Sequence, residues 1–381
     1  GGENAALGVG ALNANTSGNF NTAIGRSALV SNTTASKNTA VGYTAMYANT
    51  TGQENAAFAK DALQQNTSGS FNTAVGHQSL TSNTTASGNT AVGYQAGYSN
   101  TTGAENVLVG YKTGYSSTTA NGLTALGRQA LEDNTASNNT AIGFTVLANN
   151  TTGTFNTALG GANYGFTGGA MHLNTTGSSN TALGNQALHN NTTGDANTAV
   201  GTNAGDNVTT GAYGVYIGYD ANPSASTDSE TIVIVADGTA SGRVGKGTNT
   251  GYINPNIGSI YQGNNSSSWA TTSDRRLKKN IVDNTTGLDA ITQIQIRNFE
   301  YRTEDEITEL DAENVIRKQG LQLGVIAQEI QQVLPDIVKE ESTGVLSVNP
   351  DNITWYLVNA VKEQQATIEA LEARITQLET N

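Results

Sequence analysis

Asn89-Thr90-Ala91-Val92-Gly93-Tyr94-Gln95-Ala96-Gly97-Tyr98-Ser99-Asn100-Thr101-Thr102-Gly103-Ala104-Glu105-Asn106-Val107-Leu108-Val109-Gly110 contains one complete repeat and the start of the next. The glycine ending the word Asn-Thr-Ala-x-Gly recurs at Gly8, Gly25, Gly42, Gly76, Gly93 and Gly110, at a constant period of seventeen, with Ala59 in the one vacant slot. The series runs on through Gly127, Gly143, Gly160, Gly184, Gly201 and Gly218, with one 16-residue and one 24-residue step, making thirteen units. A repeat of this length is one structural unit that cannot bury a core by itself, so the units must stack.

Within a unit such as Asn21-Thr22-Ala23-Ile24-Gly25-Arg26-Ser27-Ala28-Leu29, Thr-Ala-Ile and Ala-Leu read as short extended pieces. Asn/Thr/Gly clusters between them supply turns, because Gly and Asn tolerate positive φ. The density of Gly, Thr and Asn argues against helix. A low-charge Gly/Ser/Thr/Asn chain is otherwise a candidate for disorder, but disorder does not keep Ala-Ile/Val/Leu-Gly in register over thirteen copies. The expected fold is mainly β: a parallel β-solenoid or β-roll over residues 1–220, with rungs about 4.8 Å apart and a rod on the order of 60 Å long. With few and small apolar residues per coil, a single rod is marginal, which favours association of several chains. All four prolines lie after residue 220, as a backbone ladder requires.

Residues 89–110 resemble the repeats of trimeric β-roll heads in autotransporter adhesins and of phage fibres, and that resemblance implies a trimeric shaft. Its many Asn-x-Thr triplets read either as glycosylation acceptors or, preferably, as polar ladders inside the solenoid. Tyr43, Tyr94, Tyr111, Phe144 and Tyr219, with Tyr47, Tyr98 and Tyr115 four residues on, form stripes. Such rings pack between coils or chains more often than they bind sugar. The extra residues within 161–177 place Tyr164, Phe166 and His172 on an expected protruding loop, a candidate receptor surface.

After Pro223 the repeat word is lost, and Thr231-Ile232-Val233-Ile234-Val235 is the strongest strand signal in the chain. Residues 221–272 read as a β-rich tip or cap, with Tyr252 and Tyr261 as further candidate receptor contacts. Composition then changes abruptly. Residues 1–220 carry five basic and nine acidic side chains, whereas residues 273–381 carry eleven and nineteen.

Within this last segment Ser273-Asp274-Arg275-Arg276-Leu277-Lys278, Gly287-Leu288-Asp289-Ala290-Ile291, Phe299-Glu300-Tyr301, Leu323-Gly324-Val325-Ile326-Ala327-Gln328-Glu329-Ile330 and Leu334-Pro335-Asp336-Ile337-Val338 follow one another. Together they resemble the intramolecular chaperone, or auto-processing, domain at the C-terminus of phage tail spikes, tail fibres and endosialidases. The resemblance implies an α+β domain over 273–381 that drives trimerisation of the preceding fibre and then cuts itself off before the serine, between Thr272 and Ser273. No histidine follows His189, so a Ser-His-Asp triad within this domain is excluded. The expected dyad is Ser273 as nucleophile and Lys278 as base, its pKa lowered by burial or neighbouring cations, with Asp274 and Arg276 as positioning residues. The bland alternative is a solvated charged turn, or a domain that assembles without cutting.

Val361, Ile368 and Ile375 recur every seven residues, offset from Leu357, Gln364, Leu371 and Leu378, so residues 354–380 are expected to form a coiled coil. β-branched a with Leu d favours two strands; the domain's resemblance implies three.

Composition excludes other classes. The chain has no Cys and three scattered His, so disulfides, thiolate chemistry and a metal site are not expected, nor is any cofactor. A net charge of −13 without a basic block argues against nucleic acid, and no apolar run approaches the roughly 20 residues that span a membrane. Gly1-Gly2-Glu3 lacks the start of a signal peptide, and the chain reads as the interior of a longer one. The reading is a homotrimeric tail fibre or spike segment of a virion that binds a host-surface glycan or protein receptor. The alternatives are a bacterial surface adhesin or extracellular filament with the same chaperone, or a glycan depolymerase. The last is disfavoured because residues 1–272 hold only twelve carboxylates, without the paired spacing of a glycosidase.

Overall fold

A computed structural model describes residues 2–161, 168–236, 244–254, 260–262, 270–271, 273–303, 305–307, 316, 318–340 and 344–380. The chain divides into two compact units, Gly1–Ser273 and Asp274–Asn381.

The first unit is a solenoid of fifteen parallel strands, from β1 (Ala5–Leu7) to β15 (Gly251–Asn254), each hydrogen-bonded to the next in chain order. Register follows the repeat: Ala23 pairs with Ala40, and Ala74 with Ala91. One coil shows why these residues fold this way. In the strand Thr22–Ile24 only Ala23 is buried, because successive strand residues face opposite sides. Asn21, Ala28, Leu29, Asn32 and Ala35 complete the interior.

Ala28-Leu29 is therefore not an extended piece. Ser27 and Leu29 sit at φ 59° and 50°, and the Leu29 N–H donates to Ala45 O of the next coil at 3.1 Å. The chain must turn several times within each coil, and left-handed kinks accomplish this while each N–H still reaches the adjacent coil. The glycine slot has a steric cause as well. Gly25 lies at φ +126°, and a Cβ there would sit 2.5 Å from Gly42 O. Ala59 occupies the same slot at φ 112°.

The two asparagines per coil form distinct buried ladders. Asn38 N–H donates to Asn21 Oδ1 (3.0 Å), and the Asn38 amide donates to Gly52 O (2.9 Å). In the second column, the Asn49 amide donates both to Asn32 Oδ1 (3.0 Å) and to Gly52 O (3.0 Å). Asn32, Asn49, Asn66 and Asn83 of the Asn-Thr-Thr/Ser triplets have no accessible surface, so the ladder reading holds over the glycosylation one.

The 24-residue step is absorbed between Gly160 and Ala170. Strands β10 (Thr157–Leu159) and β11 (Thr181–Leu183) pair in register, and Ala170 N–H already donates to Gly160 O at 2.9 Å.

The repeat register does not stop near Pro223. Strand β13 (Val215–Ile217) pairs with β14 (Ile232–Val235), Val215 opposite Ile232, and β14 pairs parallel with β15 after a 19-residue step. Backbone pairing needs only extended residues of the right alternation, which Ile232-Val233-Ile234 supply without the Asn-Thr-Ala word. Strands β16 (Ile260–Gln262) and β17 (Ala270–Thr271) then add antiparallel.

The second unit contains helices α1 (Leu288–Gln293), α2 (Ala327–Val333) and α3 (Asp351–Glu379). Two antiparallel pairs accompany them: β18 (Arg297–Phe299) with β19 (Gln322–Gly324), and β20 (Val338–Glu340) with β21 (Leu346–Val348). Ile330, Leu334, Ile337 and Tyr356 make its small core. Glu363 of α3 caps α1, accepting from Leu288 N–H at 2.8 Å, while the Asn359 amide donates to the carbonyls of Asn284 (2.9 Å) and Thr286 (3.0 Å).

Candidate functional site

The stretch expected to carry the chemistry is a short capped turn. Residues Arg275–Leu277 form one 3-10 turn whose N-cap is Asp274. The Asp274 carboxylate accepts from Arg276 N–H at 2.8 Å and from the Arg276 guanidinium at Nε (3.1 Å) and Nη2 (2.6 Å). Charge-assisted donors of this kind favour the ionised carboxyl, so Asp274 is held below its ordinary range chiefly by the Arg276 side chain. Asp274 and Arg276 thus lock each other and shape the turn. Lys278 follows as its C-cap, its N–H donating to Arg275 O at 3.1 Å.

Ser273 and Lys278 are both exposed in the single chain, as are Leu277, Ile281 and Val282, the last at 85 %. Thr272 lies outside the described residues. The division between the two compact units falls between Ser273 and Asp274, one bond from the expected cleavage point. A dyad that needs a desolvated lysine is not buried by one chain alone.

The candidate receptor residues are dispersed. Tyr164 and Phe166 lie outside the described residues, and of Tyr261 only the strand is described. His172 is half-buried: its Nδ1 is 3.0 Å from Thr145 O, and its ring stacks on His189 with centroids 5.7 Å apart. Both rings join coils. Tyr252 is 3 % exposed within the core, under the Lys246 ammonium at 5.1 Å from its ring centre. Its ring is committed to the interior of β15 rather than offered to a receptor.

The tyrosine stripes are ladders. His77, Tyr94 and Tyr111 stack successively at 5.5 and 5.2 Å, and Tyr98 stacks on Tyr115 at 5.1 Å. Arg128 lies over Tyr111, and Lys112 over Tyr115. Stacked rings turn edges outward, so the faces a sugar would cover are taken by neighbouring coils. Among the described residues no group of three or more His, Asp or Glu could hold a metal ion, and no helix is long and apolar enough to cross a membrane.

What the sequence reading missed is the outward side of the strands. The Ile, Val, Leu or Phe that ends each strand from β1 to β13 faces outward, exposed at eight positions, from Leu7 at 69 % to Val75 at 36 %, and half-buried at Val41, Val92, Val109, Ile142 and Leu183. The Thr-Ala-Ile alternation signals this, since inward Ala23 and outward Ile24 cannot share a face.

Residues 273–339 match the family described as chaperone of endosialidase, a peptidase family, and the match begins at Ser273. The second unit of this chain therefore carries an autoproteolytic chaperone domain of that family, preceded in sequence by a long parallel β-solenoid, a combination that fits a tail fibre with a C-terminal chaperone.

Proposed function

We propose that this chain is a segment of a homotrimeric tail fibre or spike that binds a host-surface receptor, and that its C-terminal domain zips three copies together before releasing itself at Thr272–Ser273. The observation that carries the reading is the coincidence at Ser273. The family match starts there, and the compact units divide one residue later.

The mechanism assigns Ser273 Oγ as the nucleophile attacking the Thr272 carbonyl carbon and Lys278 as the base accepting its proton. The departing amine is Ser273's own, so this step is an N-to-O acyl shift: the proton passes to that amine as the Thr272–Ser273 C–N bond breaks, and water then hydrolyses the Thr272 ester on Ser273 Oγ, releasing the Thr272 carboxylate and restoring the hydroxyl. Association of copies would bury Leu277, Ile281 and Val282 and desolvate Lys278, tying chemistry to assembly. In α3, Val361, Ile368, Leu371, Ile375 and Leu378 are all exposed along one seam and suit a parallel coiled coil. A zipper of this kind raises the local concentration of a slow, non-local β-fibre. Cutting makes the assembled rod's durability kinetic.

The test is a denaturing gel of the expressed chain beside Ser273→Ala. Wild type should give a band of the size of residues 1–272, and Ser273→Ala should not. An uncut wild type under folding conditions overturns the processing claim.

A further inference from the structure

The charges of the shaft are sorted by side. Residues 1–220 hold five Lys and Arg, and four of them, Arg26, Lys60, Lys112 and Arg128, stand one or two residues after a glycine slot. The fifth, Lys37, lies before its strand rather than after it and is paired with Glu54 at 3.1 Å. The column one residue after the slot carries only cations and aromatic rings over eight consecutive coils, from Arg26 to Phe144. At about 4.8 Å per coil it is roughly 34 Å long.

The cations are held on the rings. Arg26 and Lys60 lie 5.9 and 6.0 Å from the ring centre of Tyr43, and Arg128 lies 5.6 Å from Tyr111 and 5.3 Å from Phe144. Lys112 reaches both Tyr111 (5.9 Å) and Tyr115 (5.1 Å), joining this column to the ring column four residues on. The stacked rings turn their edges outward, and the edge is the positive side of an aromatic quadrupole. Tyr43, Tyr94 and Tyr111 are exposed, and among the described residues their phenols make no hydrogen bond, which leaves three O–H donors on the same stripe. Neutralising groups are few. Asp61 is buried, accepting from the Thr44 hydroxyl and the Gln64 amide and lying 3.7 Å from Lys60, while Glu132 accepts from the Gln129 amide at 2.6 Å. Arg26, Lys112 and Arg128 form no ion pair among the described residues.

We infer that this stripe binds an acidic polysaccharide, whose carboxylate, sulfate or phosphate groups lie along the rod on the guanidinium, ammonium and phenol groups. The inference deepens the receptor reading proposed above and rests on it. A linear polyanion suits the stripe because donors recur along one axis, and cations already fixed over rings lose little freedom when it docks. A neutral glycan would need ring faces, which neighbouring coils cover. Nucleic acid would need those same faces for its bases, and its dense phosphates would meet a chain of net charge −13.

The test titrates the full chain into fluorescein-labelled alginate oligomer, dextran sulfate and neutral dextran, read by anisotropy. The two acidic probes should bind, more weakly as salt is raised, and dextran should not. Arg26→Gln, Lys112→Gln and Arg128→Gln together should weaken binding about tenfold, three exposed charge contacts being lost. Arg26→Gln alone should weaken it a few-fold, so the result does not hang on the folding of the triple variant. Lys37→Gln should leave it unchanged. Unaltered affinity in the triple variant, or no binding of either acidic probe, overturns the stripe, and equal affinity for a single-stranded DNA oligomer overturns the polysaccharide assignment. A printed panel of acidic and neutral surface glycans separates this inference from the reading beneath it. Binding to neutral glycans only overturns the inference and keeps a glycan receptor, whereas binding to none removes the glycan receptor with it.

Discussion

The side-chain amide of Asn100 donates to Oδ1 of Asn83 one coil earlier at 3.0 Å, while the Oδ1 of Asn100 itself, fully buried, meets no donor. The next coil explains the gap: Ser117 stands where an asparagine belongs, and its hydroxyl donates to Asn134 O at 2.6 Å instead. Asn191 repeats the situation, with Val208 in the following coil. A buried polar atom without a partner lowers stability by about 1–3 kcal/mol.

Ser117→Asn should therefore stabilise the shaft by about 1 kcal/mol, because the new amide can reach Asn100 Oδ1. Asn83→Ala should do the opposite by about 2–4 kcal/mol, since it strands Asn66 Oδ1 and removes the acceptor of Asn100. Chemical denaturation followed by far-UV circular dichroism reads both, and an unchanged midpoint for Asn83→Ala would refute the role given to the ladder.

Ala59 is the one side chain in the glycine column of the regular repeats, held at φ 112°. Ala59→Gly should raise stability by about 1 kcal/mol by removing strain. Gly42→Ala should be strongly destabilising, because its Cβ would lie 2.4 Å from Ala59 O. Thermal unfolding midpoints of the two variants should move in opposite directions.

On α3, Ile368→Glu and Ile375→Glu place like charges at the seam that proposed association would bury. The double variant is expected to be monomeric by light scattering and to remain uncut on the gel. Trimeric, cleaved product would show that α3 does not nucleate assembly.

Arg276 sets the titration of Asp274. The carboxyl is held below 3.8, so the turn's locking is present above the unfolded value and is lost as pH falls through the folded one. In Arg276→Gln the carboxyl should titrate higher than in the parent, while the backbone N–H of residue 276 still holds it down in part, as read from carbon shifts of labelled aspartate in the Ser273→Ala background. Equal titration in both would mean the pair does not persist in solution.

In the core of the second unit the Tyr356 hydroxyl donates to Asp336, and this hydrogen bond raises the phenol's pKa above 10.0. Its contribution is present at neutral pH and is lost as pH rises through the raised value. Tyr356→Phe should destabilise the unit by about 1–2 kcal/mol at pH 7, measured by denaturant titration, and the difference from wild type should shrink in alkali.

The repeat period by itself determined the parallel stacking, the rung register and the site of the 24-residue insertion, because a repeated unit can satisfy its backbone only against its own copies. The chaperone unit was equally readable, since its words stand in order from Ser273 onward and the family match starts at the same residue. Tertiary structure alone decided which side each residue faces. Strand alternation puts Ala23 and Ile24 on opposite faces, and the narrow coil decides that it is the smaller side chain that turns inward. Leu29 reaches the core through a left-handed kink that no propensity announces, and Tyr252 is drawn inside because β15 continues a ladder whose word had already disappeared. Backbone hydrogen bonds carry the rod past the end of the recognisable repeat, and side-chain volume, which only the closed coil defines, settles what is left to face outward.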